Sequence, residues 1–462
     1  MFLHEKEITI PKATDHTVLL EYFADNVLNK LSQEDTPVRF VVTKTDDSGY
    51  HCELGIMTGV GNRKEIPRHS IFQFRKREFE DTDQYNALLL VPTGIGAEIG
   101  GHSGDAGPIA RLFAQSCDNL ITHPNVVNAS DINELPDNGL YVEGSVISRL
   151  LMGTVGLQKV RSNRVMLVID KHEDKLFHES AINAVSAARA AMGLNCPVTV
   201  VMDDKITMRS LYSSSGRAVG RVDNFENICE VLDSYHEDYD AVAISTVIRV
   251  PQNFHVDYYL QDVINPWGGV EAMLTHAVSL LYNIPSAHSP MLESREILDL
   301  DLGVVDPRKS AEIISVTFLH SILKGLHKSP RIVDNPPLNG RGNVITAANI
   351  SCLIIPEGCI GLPTLAALEQ GIPVIAVREN KNRMQNRLEE LPFKNGKLFV
   401  VDNYLEAVGV INALRAGVSV ESVRRPLEYT KVSSYKKGIA SYQKIKGIEW
   451  LDEEKKQKRE AM

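Results

Sequence analysis

From residue 86 onward, short and continuously apolar runs alternate with helix-patterned segments, and this alternation restricts the fold more than any other feature. Residues 87–91, 120–121, 165–169, 198–202, 241–245, 352–355 and 373–377 read as strands. Between them, the alanine-rich 178–192 and the segments 224–235, 268–283 and 308–327 read as helices. A strand that is apolar along its whole length is buried on both faces, as parallel strands covered by helices are. The expected fold class is therefore α/β. It has mostly parallel sheets with helices on both faces, arranged as two Rossmann-like lobes plus a small N-terminal α+β domain.

The first 85 residues follow a different pattern. A strand is expected at 7–10, and a helix over 17–31 with Asp15 as its cap. Segments 37–45 and 50–57 flank Asp46-Asp47-Ser48-Gly49, which predicts a hairpin. The charged stretch from Arg75 to Asp81 closes this unit. The expected organisation is a small N-terminal domain at 1–85, a main α/β domain at 86–330, a Rossmann-like segment at 331–425 and a charged tail at 426–462. The tail reads as a solvated or frayed helix. Pro, Asn and Gly concentrate between 330 and 342, which marks a linker or mobile loop.

Composition narrows the function. Net charge is −10, the pI is ≈ 5.8 and aromatics make up 6%. No basic field or basic–aromatic stripe is available to hold nucleic acid or an anionic membrane surface. No apolar run approaches the ~20 residues of a membrane span. The opening MFLHEKEITIPK lacks the apolar core of a secretion signal. Cys52, Cys117, Cys196, Cys229, Cys352 and Cys359 are scattered, with no C-x-x-C, so they read as reduced thiols of a cytoplasmic protein. The expected partners are a small anionic molecule and, as an open alternative, further copies of the chain in a homo-oligomer. Nucleic acid and membrane are not expected. The pattern does not specify a cofactor.

Two glycine-rich junctions stand out. In LLLVPTGIGAEIGGHSGDAGPIARLF, 88–113, an apolar strand runs into six glycines and then a helix near Pro108. Such a junction lies at the carboxyl ends of parallel strands. There backbone N–H groups and a helix N-terminus can wrap an anion. It is neither a Walker loop nor an in-register G-x-G-x-x-G. Thr93, Gly94, Gly96, Gly101, Ser103, Gly104 and Asp105 are its candidate ligand contacts, and His102 is a candidate acid or base. The same glycines would also serve a tight turn alone.

The second junction is SCLIIPEGCIGLPTLAALEQGIPVIAVREN, 351–380. Its Gly-rich turn, its Thr364 at a helix start and its Gly371-Ile372-Pro373-Val374-Ile375 resemble the nucleotide-sugar half of two-domain glycosyltransferases and sugar-nucleotide epimerases. It departs from that pattern at Ala367-Leu368-Glu369, where the ribose-binding glutamate is shifted. The resemblance implies that Glu357, Gly358, Gly361 and Thr364 contact a ligand. A helix cap is the plain alternative for Thr364. Cys359 is either a thiolate near a helix start or, more simply, a small buried hydrophobe.

Loop residues complete the candidates: His123 and Asn125, Glu143, Ser214 and Arg217, Trp267 and Gly268, and His288 and Ser289. Function concentrates on such loops. Ser214 and Arg217 could hold a second anion through a hydroxyl and a guanidinium fork. His276, His320 and His327 fall on helices and read as packing or surface residues.

The segments PTGIGAEIGGHSGDA, LITHPNVVN, LYVEGS, NPWGGVEAMLTHA, PSAHSPM, VVDPR and FLHSILKGLHKSPRI resemble an uncharacterised bacterial family, domain of unknown function 3326, over about 86–425. The resemblance implies a shared fold and site. The expected function is an enzyme that binds a nucleotide, sugar-nucleotide or carboxylate in an inter-lobe cleft. His102, His123, Glu143 and His288 are the expected acid–base residues. One alternative is a metal-dependent hydrolase using His102, Asp105 and His123. Another is a non-catalytic ligand-sensing or scaffold protein, which would need the glycines and not the histidines.

Overall fold

The computed structural model describes residues 1–13, 18–60, 66–251, 254–315, 317–339, 342–430, 432–436 and 439–443. The cap expected at Asp15 lies outside them. The chain forms two compact units, Met1–Ile411 and Asn412–Met462. The first is a mixed α/β unit built on two large sheets.

One sheet is wholly parallel. Its order is Leu398–Val401, Val374–Val377, Ile350–Pro356, Asn86–Leu89, Asn119–Thr122 and Gly139–Tyr141. Every residue of Asn86–Leu89, Asn119–Thr122, Ile350–Pro356 and Val374–Val377 is buried. Burial on both faces is what their continuous apolar sequences require.

The other sheet is mixed. Val198–Val201, Val165–Ile169, Ala241–Arg249 and Ser286–Met291 pair in parallel. Thr207–Tyr212 lies parallel to Ala241–Arg249 and opens an antiparallel half. That half continues through Ala218–Asp223, Phe2–Ile10, Gly49–Thr58 and Asp35–Asp46 to Ile360–Gly361. The hairpin expected around Asp46–Gly49 is present. The helix expected over 17–31 spans Leu19–Leu28.

Backbone pairing crosses the boundaries expected at 85 and 330. Phe2–Ile10 bonds to Ala218–Asp223, and Asn86–Leu89 lies between Ile350–Pro356 and Asn119–Thr122. Strand partners this distant in sequence leave no local signal. The expected linker at 330–342 begins as a strand, Arg331–Asp334, paired with Val155–Gln158. Its prolines flank that strand, Pro330 just before it and Pro336 and Pro337 after it. The helix expected over 308–327 is split into Ser310–Ile314 and Leu319–His327. Beside the break, the Asp131 carboxylate accepts from the hydroxyls of Ser315 and Thr317 and from the His320 N–H at 3.0 Å. In the second unit, Val432–Lys436 and Ile439–Gln443 pair as antiparallel strands where a frayed helix was expected.

Three helices position the site. Gly144–Leu151 lies alongside Gly268–Tyr282 in the same direction. A Cβ on Gly144 would come within 3.4 Å of the His276 ring, while Arg149 donates to Ser279 O at 3.1 Å and to Asn283 Oδ1 at 3.0 Å. Leu362–Gln370 packs on the first of these, with Gln370 donating to Leu151 O at 2.9 Å, so their C-terminal ends meet. All three N-termini open on one cavity. Among the described residues no helix is long and apolar enough to cross a membrane. All six cysteines are buried.

Candidate active site

The cavity measures ≈ 360 Å³. Its polar wall is built around Glu143, the N-cap of the Gly144–Leu151 helix. The carboxylate accepts from the backbone N–H of Ser145 at 2.9 Å and of Val146 at 3.3 Å, and from the Ser145 hydroxyl. Its other oxygen accepts a hydrogen bond from His276 Nδ1–H. Burial alone would raise the Glu143 pKa, yet the His276 charge and these hydrogen bonds hold it below the usual carboxylate value. Glu143 thus stays ionised and fixes the imidazole. Among the described residues, His276 Nε2 has no protein partner, and the side chain lies in the cavity wall. An oriented imidazole with one free nitrogen is the arrangement of a general acid or base.

Glu271 and His288 form a second pair at 3.2 Å, and His288 Nε2 faces Thr246 Oγ1 at 2.8 Å. Both ring nitrogens of His288 are therefore engaged. His123 receives the Val91 N–H on Nε2 at 3.2 Å, so Nδ1 carries its ring proton when neutral. Burial lowers its pKa to about 4, against the Glu143 charge, which raises it, and with the His276 charge, which lowers it further. Burial also lowers Arg149 to about 10. On another wall, Glu312 accepts from Tyr258 Oη at 3.0 Å, Ser103 N–H at 3.2 Å and Tyr259 Oη at 3.4 Å. Burial pushes its carboxyl up to about 7.

The residues singled out in the sequence divide. From the first junction, Thr93, Gly94, Gly101 and Ser103 line the cavity. His123, Asn125, Glu143, Arg217 and His288 also line it. So do Trp267, Gly268, Gly361 and Thr364. His102, Gly96, Gly104 and Asp105 do not, nor do Ser214, Ser289, Glu357 and Gly358.

The glycine loop folds around itself and its neighbours. Asp105 accepts from the Gly100 N–H at 2.8 Å, and burial raises its pKa to about 6. Asn125 bridges Val91 O and Gly100 O at 3.0 and 2.7 Å. Gly94, at φ +79°, packs so tightly on Ala218 that a Cβ would lie 2.6 Å from its carbonyl oxygen. His102 faces Tyr258 Oη at 3.0 Å, and burial lowers its pKa to about 4. His102, Asp105 and His123 each turn to a different partner, and no group of three or more potential ligands is arranged for a metal among the described residues.

Arg217 differs from its expected use. Its guanidinium lies 3.0 Å from Glu5 and 3.2 Å from Glu53, so it answers the protein's own carboxylates. Ser214 donates to Glu7 through N–H and hydroxyl. Glu357 caps Leu388 N–H at 2.9 Å, and burial raises its pKa. Thr364 donates to Cys359 O at 2.7 Å, and burial keeps Cys359 a thiol.

The wall also holds His276, which the sequence placed among packing or surface residues, Glu271, which follows the Asn265–Gly269 loop, and Arg149 and Glu312, which were not foreseen. A weak signal existed for two of them. Glu271 and His276 are titratable residues in a helix whose other positions are mostly buried and apolar.

Residues 86–424 match the family described as "Protein of unknown function (DUF3326)". The chain belongs to this family. An uncharacterized lipoprotein from Synechococcus sp. is 32% identical over 340 residues, which is 72% of this chain and 91% of that relative. No solved structure matches the chain. Glu143, His276, Glu271, His288, Arg149 and Glu312 all fall within the matched segment.

Proposed function

We propose that this protein is an enzyme that performs acid–base chemistry on a small metabolite carrying a carboxylate or phosphate. His276 would be the proton-transferring group. Glu143 would hold its tautomer and orientation, and so act as a positioning residue rather than a catalytic one. The observation that carries the reading is the pairing of buried Glu143 with the partly buried His276 beside the converging helix N-termini.

The anionic group is inferred from electrostatics. Each helix N-terminus carries about half a positive elementary charge. Glu143 neutralises the first. The Leu362–Gln370 helix has no side-chain cap. Asn265 satisfies Trp267 and Gly268 N–H groups on the third, without adding charge. Arg149 and His255 line the cavity, and Arg149 Nε and His255 Nε2 are buried with no hydrogen-bond partner among the described residues. A ligand oxygen would satisfy such groups.

The test is to incubate the purified protein with a small-molecule extract and follow each component by mass spectrometry. The protein should consume one component, and His276→Asn, folded to the same degree, should not. Equal consumption by the variant would remove His276 from the chemistry. The Synechococcus relative is named a lipoprotein, which fits poorly with a cytoplasmic location. Cell fractionation would place this chain.

A further inference from the structure

The reading above leaves one wall of the cavity without a role. Residues 292–314 form a strap of two short helices, Arg295–Leu298 and Ser310–Ile314, joined by an irregular stretch. Leu292, Leu298, Leu300, Leu302 and Ile313 line the cavity from this strap. Leu298 is 37% exposed, Leu300 38% and Ile313 36%, so they reach the cavity without being packed into a core.

Polar contacts, not these side chains, hold the strap. Arg295 pairs with Asp174, and Arg308 reaches Asp262 at 3.3 Å and Glu98 at 3.4 Å. Lys309 donates to Tyr258 O and Gln261 O at 2.5 and 2.7 Å, while Glu312 bonds to Tyr258 and Ser103. The leucines are therefore not needed to fasten the strap. A contiguous apolar wall left open to water is unfavourable unless something covers it. Because this wall is continuous with the polar centre of one cavity, a single small molecule would touch both.

We propose that the ligand is amphipathic: an anionic head bound near His276 and the helix N-termini, joined to a hydrocarbon chain that lies along Leu298, Leu300, Leu302 and Ile313. The proposal rests on the reading of the cavity as an anion-binding active site.

Calorimetric titration of the full chain with phosphate, butyrate, hexanoate, octanoate, decanoate and decanol tests it. Affinity should rise about three- to four-fold per methylene along the carboxylates, the increment for burying each CH₂. Decanol should bind more weakly than decanoate. The paired substitutions Leu300→Ser and Leu302→Ser should flatten the chain-length dependence while leaving butyrate affinity unchanged. Binding of phosphate and butyrate with no gain from added methylenes would overturn the amphipathic ligand and leave the anion reading standing. Decanol binding as tightly as decanoate would overturn the anionic head. An unchanged slope in the doubly substituted protein would overturn the placement of the chain on the strap. No binding by any compound would overturn both readings.

Discussion

Glu143 is buried and yet ionised because Ser145 N–H and Oγ, Val146 N–H and Thr275 Oγ1 donate to it and a histidine balances its charge. Substituting Glu143→Gln would place an amide NH₂ against the His276 Nδ1 proton, or force the ring to change tautomer. Turnover should fall about 10²–10⁴-fold, the usual range for losing positioned acid–base help. Steady-state rates on the metabolite found by extract profiling would measure it. Glu312 gives a separate prediction. Its carboxyl is raised to about 7 in the fold, so the unfolded chain ionises first as pH rises. Its stabilising contribution is full below the unfolded value of about 4.5 and is lost as pH climbs through 7. Glu312→Gln should therefore raise the thermal midpoint more at pH 8 than at pH 5. Thermal melts at the two pH values check this, and an equal change at both would refute it. At this scale the sequence was only partly legible. Glu143 could be picked out from its loop, but the role of His276 depends on a carboxylate 133 positions away, and a helical histidine alone carries no such mark.

The helices and glycine turns explain what local pattern could and could not tell. The apolar strands and the 268–282 helix were readable because burial imposes a period on sequence. The split at Ser315, beside contacts to Asp131 from a distant loop, was not. The glycine loop was found for a partly different reason than its structure gives. Gly94 and Gly104 let backbones approach Ala218 and Asn128, contacts that no local pattern reports. Glycine substitutions test this packing account. A Cβ on Gly269 would lie 2.0 Å from the Ala218 carbonyl oxygen, so Gly269→Ala should cost about 1–3 kcal/mol or more by overpacking. Gly409, inside the Tyr404–Arg415 helix, has nothing within 4 Å of an added Cβ. Gly409→Ala should stabilise by roughly 0.5–1 kcal/mol. Denaturant melts of the two variants should move in opposite directions.

Across the first compact unit, the N-terminal strands are part of the same construction as the site. Phe2–Ile10 and Gly49–Thr58 extend the sheet from Ala218–Asp223, and Glu5 and Glu53 neutralise the buried Arg217. Arg39 and Phe40 line the cavity. A chain beginning at residue 86 would leave an open sheet edge and an uncompensated buried guanidinium, each strongly unfavourable. It should show no cooperative thermal transition by circular dichroism, although the family match itself starts at 86. A sharp transition in that shortened chain would mean that the first 85 residues are dispensable for folding.

The central claim is that Glu143 fixes His276 with Nε2 free toward the cavity. Nitrogen-15 NMR of the histidine side chains, recorded above the pH at which imidazoles are neutral, measures this directly. His276, assigned through His276→Asn, should carry its proton on Nδ1 and should lose that preference in Glu143→Gln. A His276 protonated on Nε2, or a tautomer unaffected by Glu143→Gln, would contradict the account.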